Sequence, residues 1–140
     1  MANVIYNSFK AKIMDGSIDL NTDTIKVALV TSSYTPDQDA HDFFDDVTNE
    51  VSGTGYTAGG ATLANCAVTA DNTDNEGVFD ADDVTWSSST ITARGAVIYK
   101  STGTASSSPL ICYIDFGEDK VSSAGNFTIT FNSEGILNLG

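Results

Sequence analysis

Asn72, Asp74, Glu76, Asp80 and Asp83 fall at positions one, three, five, nine and twelve of a twelve-residue frame with Gly77 at position six. A calcium-binding EF-hand loop uses oxygen-bearing side chains at that spacing, and its glycine makes the sharp turn. The departures matter. Position one is Asn rather than Asp, and position five is Glu, whose extra methylene alters its reach. Position twelve is Asp, too short for the usual bidentate grip. The flanks, "ANCAVTA" and "VTWSSST", read as strands rather than as the two helices of a hand. A solvated acidic loop between strands is therefore favoured, no metal is expected, and a calcium loop at these five residues is the alternative.

A second acidic stretch holds Asp37, Asp39, Asp42, Asp45, Asp46 and Glu50. Two carboxylates can hydrolyse a glycosidic bond, but any chain this acidic offers such pairs. His41, the only histidine, has the chemistry of a general base or a metal ligand. It has no partner histidine, so a structural place at a loop or helix start is expected. Cys66 and Cys112 form no C-x-x-C pair and read as two buried thiols, with a disulfide as the alternative. A Cys–His nucleophile pair would need a proximity that spacing does not supply. "GTGYTAGG", Gly53 to Gly60, fails the G-x-G-x-x-G spacing and lacks the Lys-Ser/Thr of a phosphate loop. Its expected role is conformational, a sharp turn and a close approach to a neighbouring backbone. No G-x-S-x-G element is present. No catalytic constellation remains, so an enzyme is not expected and no cofactor is implied.

The charge excludes further classes. Nineteen acidic residues against six basic ones give a formal net charge of −13. Such a surface repels phosphate, and Lys10, Lys12, Lys26, Arg94, Lys100 and Lys120 are scattered rather than clustered. Neither nucleic acid nor an anionic membrane is an expected partner. The chain has no run long enough to span a bilayer and no signal-peptide pattern at its start. It is expected to be made in the cytoplasm.

The elements that must position these residues are mostly strands. With 140 residues and 41% hydrophobic content, the chain suits one β-rich domain over residues 1–140. Val4, Ile5, Phe9, Ile13 and Met14 fall near helical spacing, and Gly16 ends that short amphipathic helix. "TIKVALVT", residues 24–31, is a buried strand. Residues 37–51 read as a short helix facing Phe43, Phe44, Val47 and Val51 inward, or as a loop pinned by the two Phe. Strands follow at 63–70, 78–79, 83–88, 90–99, 110–117, 126–133 and 135–139, separated by Gly, Ser, Asn and Asp turns. In "NFTITFNS", Phe127, Ile129 and Phe131 alternate with Thr128, Thr130 and Asn132. Short strands at this spacing predict a mainly β fold, an antiparallel β-sandwich with a short N-terminal helix. Trp86, Phe116, Phe127 and Phe131 are expected in its core. Tyr34, Tyr56, Tyr99 and Tyr113 are either half-buried or at an interface. Arg94, between small residues in a strand, would reach a carboxylate on its own chain or on a partner.

A compact acidic β domain without catalytic groups works by binding other proteins. The start "MANVIYNSFKAKIMDG", the segment "VALVTSSYTPDQDAHDFFDDV" and the strand "ARGAVIYK" carry a further signal. Over nearly the whole chain the sequence resembles small virion structural proteins of tailed bacteriophages, some of them similar to capsid cement or decoration proteins. The resemblance implies a jelly-roll-like sandwich and no catalytic motif. It also implies the outer capsid surface of a virion as location, and the major capsid protein as partner. Self-association as a dimer or trimer is expected with it. The candidate interface residues are Val4, Tyr6, Phe9, Phe43, Phe44, Tyr56 and Arg94, with the N-terminal helix and the 37–50 and 53–60 segments as candidate contact regions. The alternatives are a tail, baseplate or fibre-associated virion component and a carbohydrate-binding sandwich module.

Overall fold

The computed structural model describes residues 2–140. The chain is mainly β, with antiparallel pairing throughout and one short helix. Its strands are β1 (Val4–Ile5), β2 (Ile25–Val30), β3 (Ala61–Thr62), β4 (Ala67–Asp71), β5 (Glu76–Asp80), β6 (Val84–Lys100), β7 (Leu110–Ile129) and β8 (Leu137–Leu139). The helix, α1, spans Asn7–Met14. Two sheets form, ordered β1-β7-β6-β2-β3 and β4-β5-β8. Phe79 of β5 and Leu137 of β8 join Ile25, Val27 and Leu29 of β2 and Ile98 of β6 in one hydrophobic cluster, so the two sheets share a core. The expected antiparallel sandwich with a short N-terminal helix is what the chain forms.

The helix starts later than the periodicity suggests. Val4 and Ile5 leave it to pair with Tyr113 and Cys112 of β7. Phe9 is buried and Ile13 packs against the core, while Met14 is 82% exposed. Gly16 ends the helix at φ +81, and Ser17 N then reaches back to the Lys12 carbonyl at 3.0 Å. That is the left-handed stop glycine supplies most cheaply.

The five-stranded sheet is buried on both faces around β2 and the adjoining Gly95–Tyr99 and Leu110–Tyr113 stretches, whereas Val84–Ala93 of β6 buries only alternate residues. Ile25, Val27 and Leu29 face the shared core, and Ala28 and Val30 face a second cluster with Tyr6, Tyr34, Val97, Tyr99, Leu110 and Tyr113. The Asp37–Val51 segment covers that second face. It is a loop with a single 3-10 turn at Phe44–Asp46, pinned as the loop alternative required. Phe44 stacks on Tyr99 with ring centroids 4.1 Å apart, and Phe43 makes an isolated bridge with Pro109.

The two expected strand pairs of the back half are each one long strand. β6 runs through Ser88, and β7 runs through Gly117 and Ala124, all at positive φ. These are bulges, where the pairing register shifts and then resumes. The buried Ser89 hydroxyl lies 3.0 Å from the Trp86 carbonyl, 2.9 Å from the Gly125 carbonyl and 2.8 Å from Ser122 Oγ. Polar groups freed by the bulge thus keep partners inside the sheet.

Tyr113 is an exception to that rule. It is 1% exposed, and its hydroxyl meets no hydrogen-bond partner among the described residues. It fits only because residue 95 is glycine: a Cβ there would come within 2.4 Å of the Tyr113 hydroxyl oxygen. Removing a buried, unpaired hydroxyl removes its desolvation cost. Tyr113→Phe is therefore expected to raise stability by about 1 kcal/mol, seen as a higher urea midpoint at unchanged slope.

Candidate functional site

The acidic stretch from Asp71 to Asp83 is a hairpin with its outgoing strand end. Asp71 opposes Glu76 at the tip, and the turn between them is closed by Asn75 at φ +60. Asp71 Oδ1 accepts the backbone N–H groups of Thr73 and Asp74, at 2.9 and 3.2 Å. This Asx turn ties the tip of the loop to its own backbone. The flanks are strands, so the helix–loop–helix frame of an EF-hand is absent.

The fold brings together a different set of carboxylates from the one the spacing suggested. Asp71, Asp74, Glu76 and Glu134 each place one carboxylate oxygen within 4.8 Å of the others. Asp80 and Asp83 are engaged elsewhere: Asp80 Oδ1 accepts Ala81 N at 2.8 Å, and Asp83 Oδ1 accepts Phe131 N at 2.9 Å. Asn72 stands exposed in the turn. The four clustered carboxylates are the residues that could hold a hard cation by their oxygens. Glu134 comes from the far end of the chain, and no local motif announces it.

His41 sits in the loop over the second face. The backbone N–H of Asp37 can only donate, and it points at His41 Nδ1 from 3.2 Å. Nδ1 is therefore the acceptor nitrogen of the ring. Tyr34 donates to the same atom at 3.0 Å, which leaves Tyr6 as donor to Tyr34 at 2.8 Å. The chain Tyr6–Tyr34–His41 fastens the loop to the sheet, a structural place of the kind expected. Burial raises the Tyr6 phenol, and it raises Tyr34 to about 12.

A second polar lock holds the glycine-rich segment. Glu50 Oε2 accepts from the Tyr56 hydroxyl at 2.5 Å and from Gly59 N at 2.7 Å. Tyr99 donates to the Gly59 carbonyl at 2.6 Å, and Leu29 N donates to the Tyr56 hydroxyl at 3.0 Å. The segment is pressed onto backbone. A Cβ on Gly53 would lie 2.3 Å from the Thr90 carbonyl oxygen, and one on Gly60 would lie 1.8 Å from that of Val27. Close approach is the role its glycines serve.

Of the seven expected interface residues, Tyr6 and Phe9 must be reassigned, because both are buried in the core of the chain itself. Strand pairing and apolar packing against β7 and the helix's own neighbours claim them. Val4, Phe43, Phe44, Tyr56 and Arg94 are half-buried. Phe43 lies under Lys12 Nζ, 5.1 Å from the ring centre, and the other contacts of Phe44 and Tyr56 are internal. Arg94 finds its carboxylate within the chain: Nε meets Asp115 Oδ1 at 2.9 Å. Tyr34, Tyr99 and Tyr113 are buried, and Tyr56 is half-buried. Cys66 and Cys112 are separate free thiols, and full burial lifts Cys112 to about 12.

The carboxylates make the fold acid-sensitive. The hydrogen bond from Arg94 holds Asp115 down to about 2. Backbone N–H groups of Asp42 and Phe43 lower Asp46, and those of Ala40 and Asp39 lower Asp37. A depressed folded pKa means that the unfolded chain binds protons first, near pH 4. This stabilisation is complete above that pH and is lost as pH falls toward 2. Thermal melts at fixed ionic strength should show a plateau above pH 5 and a steep decline below pH 4. Arg94→Ala should lower the plateau and flatten the end of the decline that Asp115 contributes.

No helix among the described residues is long and apolar enough to cross a membrane. Compared with models of known families, with curated proteins and with solved structures, the chain matches none.

Proposed function

We propose that this chain is a head-decoration, or cement, protein of a tailed bacteriophage. In this reading it binds the outer face of the major capsid shell and braces it. The observation that carries the proposal is the charge. The chain bears −13, and Arg94, Lys100 and Lys120 are already tied to Asp115, Asp23 and Glu118. A shell packed with DNA repels such a protein from its inside and leaves the outside open to it. The resemblance to phage virion proteins points the same way.

The stiffness of the domain suits a brace. Both faces of its main sheet are covered around β2, and both long loops are pinned by buried or half-buried polar contacts. Attachment would come from repeated contacts of roughly 800 Å² per partner, multiplied by the symmetry of the shell and by pairing of the chain with itself as a dimer or trimer.

Immunogold labelling of purified virions, with copy number from quantitative gels, tests the proposal. Hundreds of copies spread over the head support it. A few copies confined to the tail or baseplate would replace it with the appendage reading. An unlabelled particle would end both.

A further inference from the structure

Two donors meet at Nδ1 of His41: the Asp37 backbone N–H at 3.2 Å and the Tyr34 hydroxyl at 3.0 Å. Behind Tyr34 stands Tyr6, whose hydroxyl donates to it at 2.8 Å. Both tyrosines are sealed, at 1% and 0% exposure, whereas His41 is half-buried. Its ring stacks on Tyr34 with centroids 5.7 Å apart and forms the outer end of this chain of hydrogen bonds.

A proton on Nδ1 turns that acceptor into a donor. It then faces the Asp37 N–H, which can only donate. Tyr34 can accept from the ring, but one hydroxyl hydrogen of the Tyr6–Tyr34 pair is then left buried without an acceptor. The closed position therefore fits the neutral imidazole and not the charged one.

The charged ring has other partners within its own segment. Asp37 and Asp46 are both lowered in part by the charge of His41, after the larger effect of their backbone hydrogen bonds. Asp37 Oδ1 accepts from Asp39 N and Ala40 N, and Asp46 Oδ2 accepts from Asp42 N and Phe43 N. A carboxylate has room for a third donor. From α1, Lys10 is bonded to Asn7 and Lys12 lies over Phe43, while Asp39 accepts from Asn7. Tyr113 of β7 faces Tyr34 with ring centroids 5.9 Å apart.

We propose that His41 is a two-position latch set by pH. Neutral, it closes on the Tyr34 hydroxyl; protonated, it swings to the carboxylates of Asp37 and Asp46 and opens the Tyr6–Tyr34 pair to water. The ring moves and the backbone stays. Gln38 ties the segment down through its Nε2 to the Ile5 carbonyl at 2.8 Å and through its own carbonyl to Asn7 N at 3.1 Å. Imidazole changes charge between about pH 5 and 8, where both carboxylates are ionised. The ion pairs gained offset the hydrogen bonds lost, so the stability plateau above pH 5 is kept. The inference does not rest on the capsid reading, since the latch works whatever the segment binds.

An NMR titration of the 15N,13C-labelled protein across that range, from about pH 8 to about pH 5, tests it. At the upper end His41 should carry its proton on Nε2. As the ring charges, the Tyr6 and Tyr34 ring signals and the Asp37 amide should move with one midpoint. The Tyr34 hydroxyl proton should exchange with water about tenfold faster or more. His41→Asn puts an acceptor oxygen where Nδ1 stands and takes no proton, so it should keep the closed spectrum at both ends. Tyrosine signals and an Asp37 amide that ignore the His41 titration would overturn the proposal, and so would the same shifts in His41→Asn. Lost protection of Phe44 N and Val51 N at the acid end would also overturn it, because the whole segment would then be opening rather than the ring.

Discussion

Gly60→Ala is expected to destabilise the domain by about 3 kcal/mol or more, a fall in melting temperature of roughly 10 °C for a chain of this size. Two costs combine. Gly60 has φ +80, where an L side chain is strained. Its added Cβ would also lie 1.8 Å from the Val27 carbonyl oxygen and 2.7 Å from Ala28 Cα. Those atoms belong to the backbone of two fully buried strand residues and cannot rotate aside. Gly16→Ala separates the two costs, since Gly16 has φ +81 and nothing within 4 Å of the added Cβ. It should lose only about 1–2 kcal/mol. Equal losses at the two sites would show that the approach of residues 53–60 to β2 is not tight.

Trp86→Ala is expected to cost about 3–5 kcal/mol. Trp86 is the only tryptophan and is 7% exposed. Its ring meets Phe127 edge-on at 6.1 Å and Tyr56 at 5.9 Å. Truncation opens a cavity beside the β6 bulge and removes the surface on which Tyr56 rests. Tyr56 in turn carries the hydrogen bonds to Glu50 and Leu29 that hold the glycine-rich strap. Urea unfolding followed by far-UV circular dichroism reads the loss, because the variant has no tryptophan emission to follow. A shift worth less than about 1 kcal/mol, against the usual cost of an aromatic truncation, would mean that the site collapses around the deletion and that the strap does not depend on it.

These two positions differ in how far the sequence announces them. The glycine run of residues 53–60 is visible as a place where backbone must turn and approach closely, and that is its role. The atoms it approaches, in β2 and β6, are not visible from the run. Trp86 is recognisable as core by its size and its neighbours. Its contact with Phe127 depends on β6 and β7 pairing through their bulges. Alternation in residues 126–133 and the β-branched run of 24–31 mark strands because burial on a sheet has a period of two, although β7 ends at Ile129 and leaves Phe131 beyond it. The turn residues predict four shorter strands where β6 and β7 each run as one. Ser88 and Ala124 adopt positive φ without being glycine, and a partner strand carries the ladder across each gap.

The candidate sites divide in the same way. The 71–83 loop is plainly acidic and plainly between strands, and the sequence could discount an EF-hand from the loop's flanks. Which carboxylates gather there was settled by β5 pairing with β8, which carries Glu134 toward the hairpin. Tyr6 and Phe9 suited an interface by type and became core by position. The hydroxyls of Tyr6 and Tyr34 lie side by side although 28 residues separate them, and each lowers the cost of burying the other. The charge, the β class, the turns and the failure of catalytic motifs are legible along the chain, because they follow from residue type and short-range periodicity. Tertiary structure alone decided which polar groups are satisfied and which carboxylates gather. Those depend on what the distant parts of the chain bring to each other.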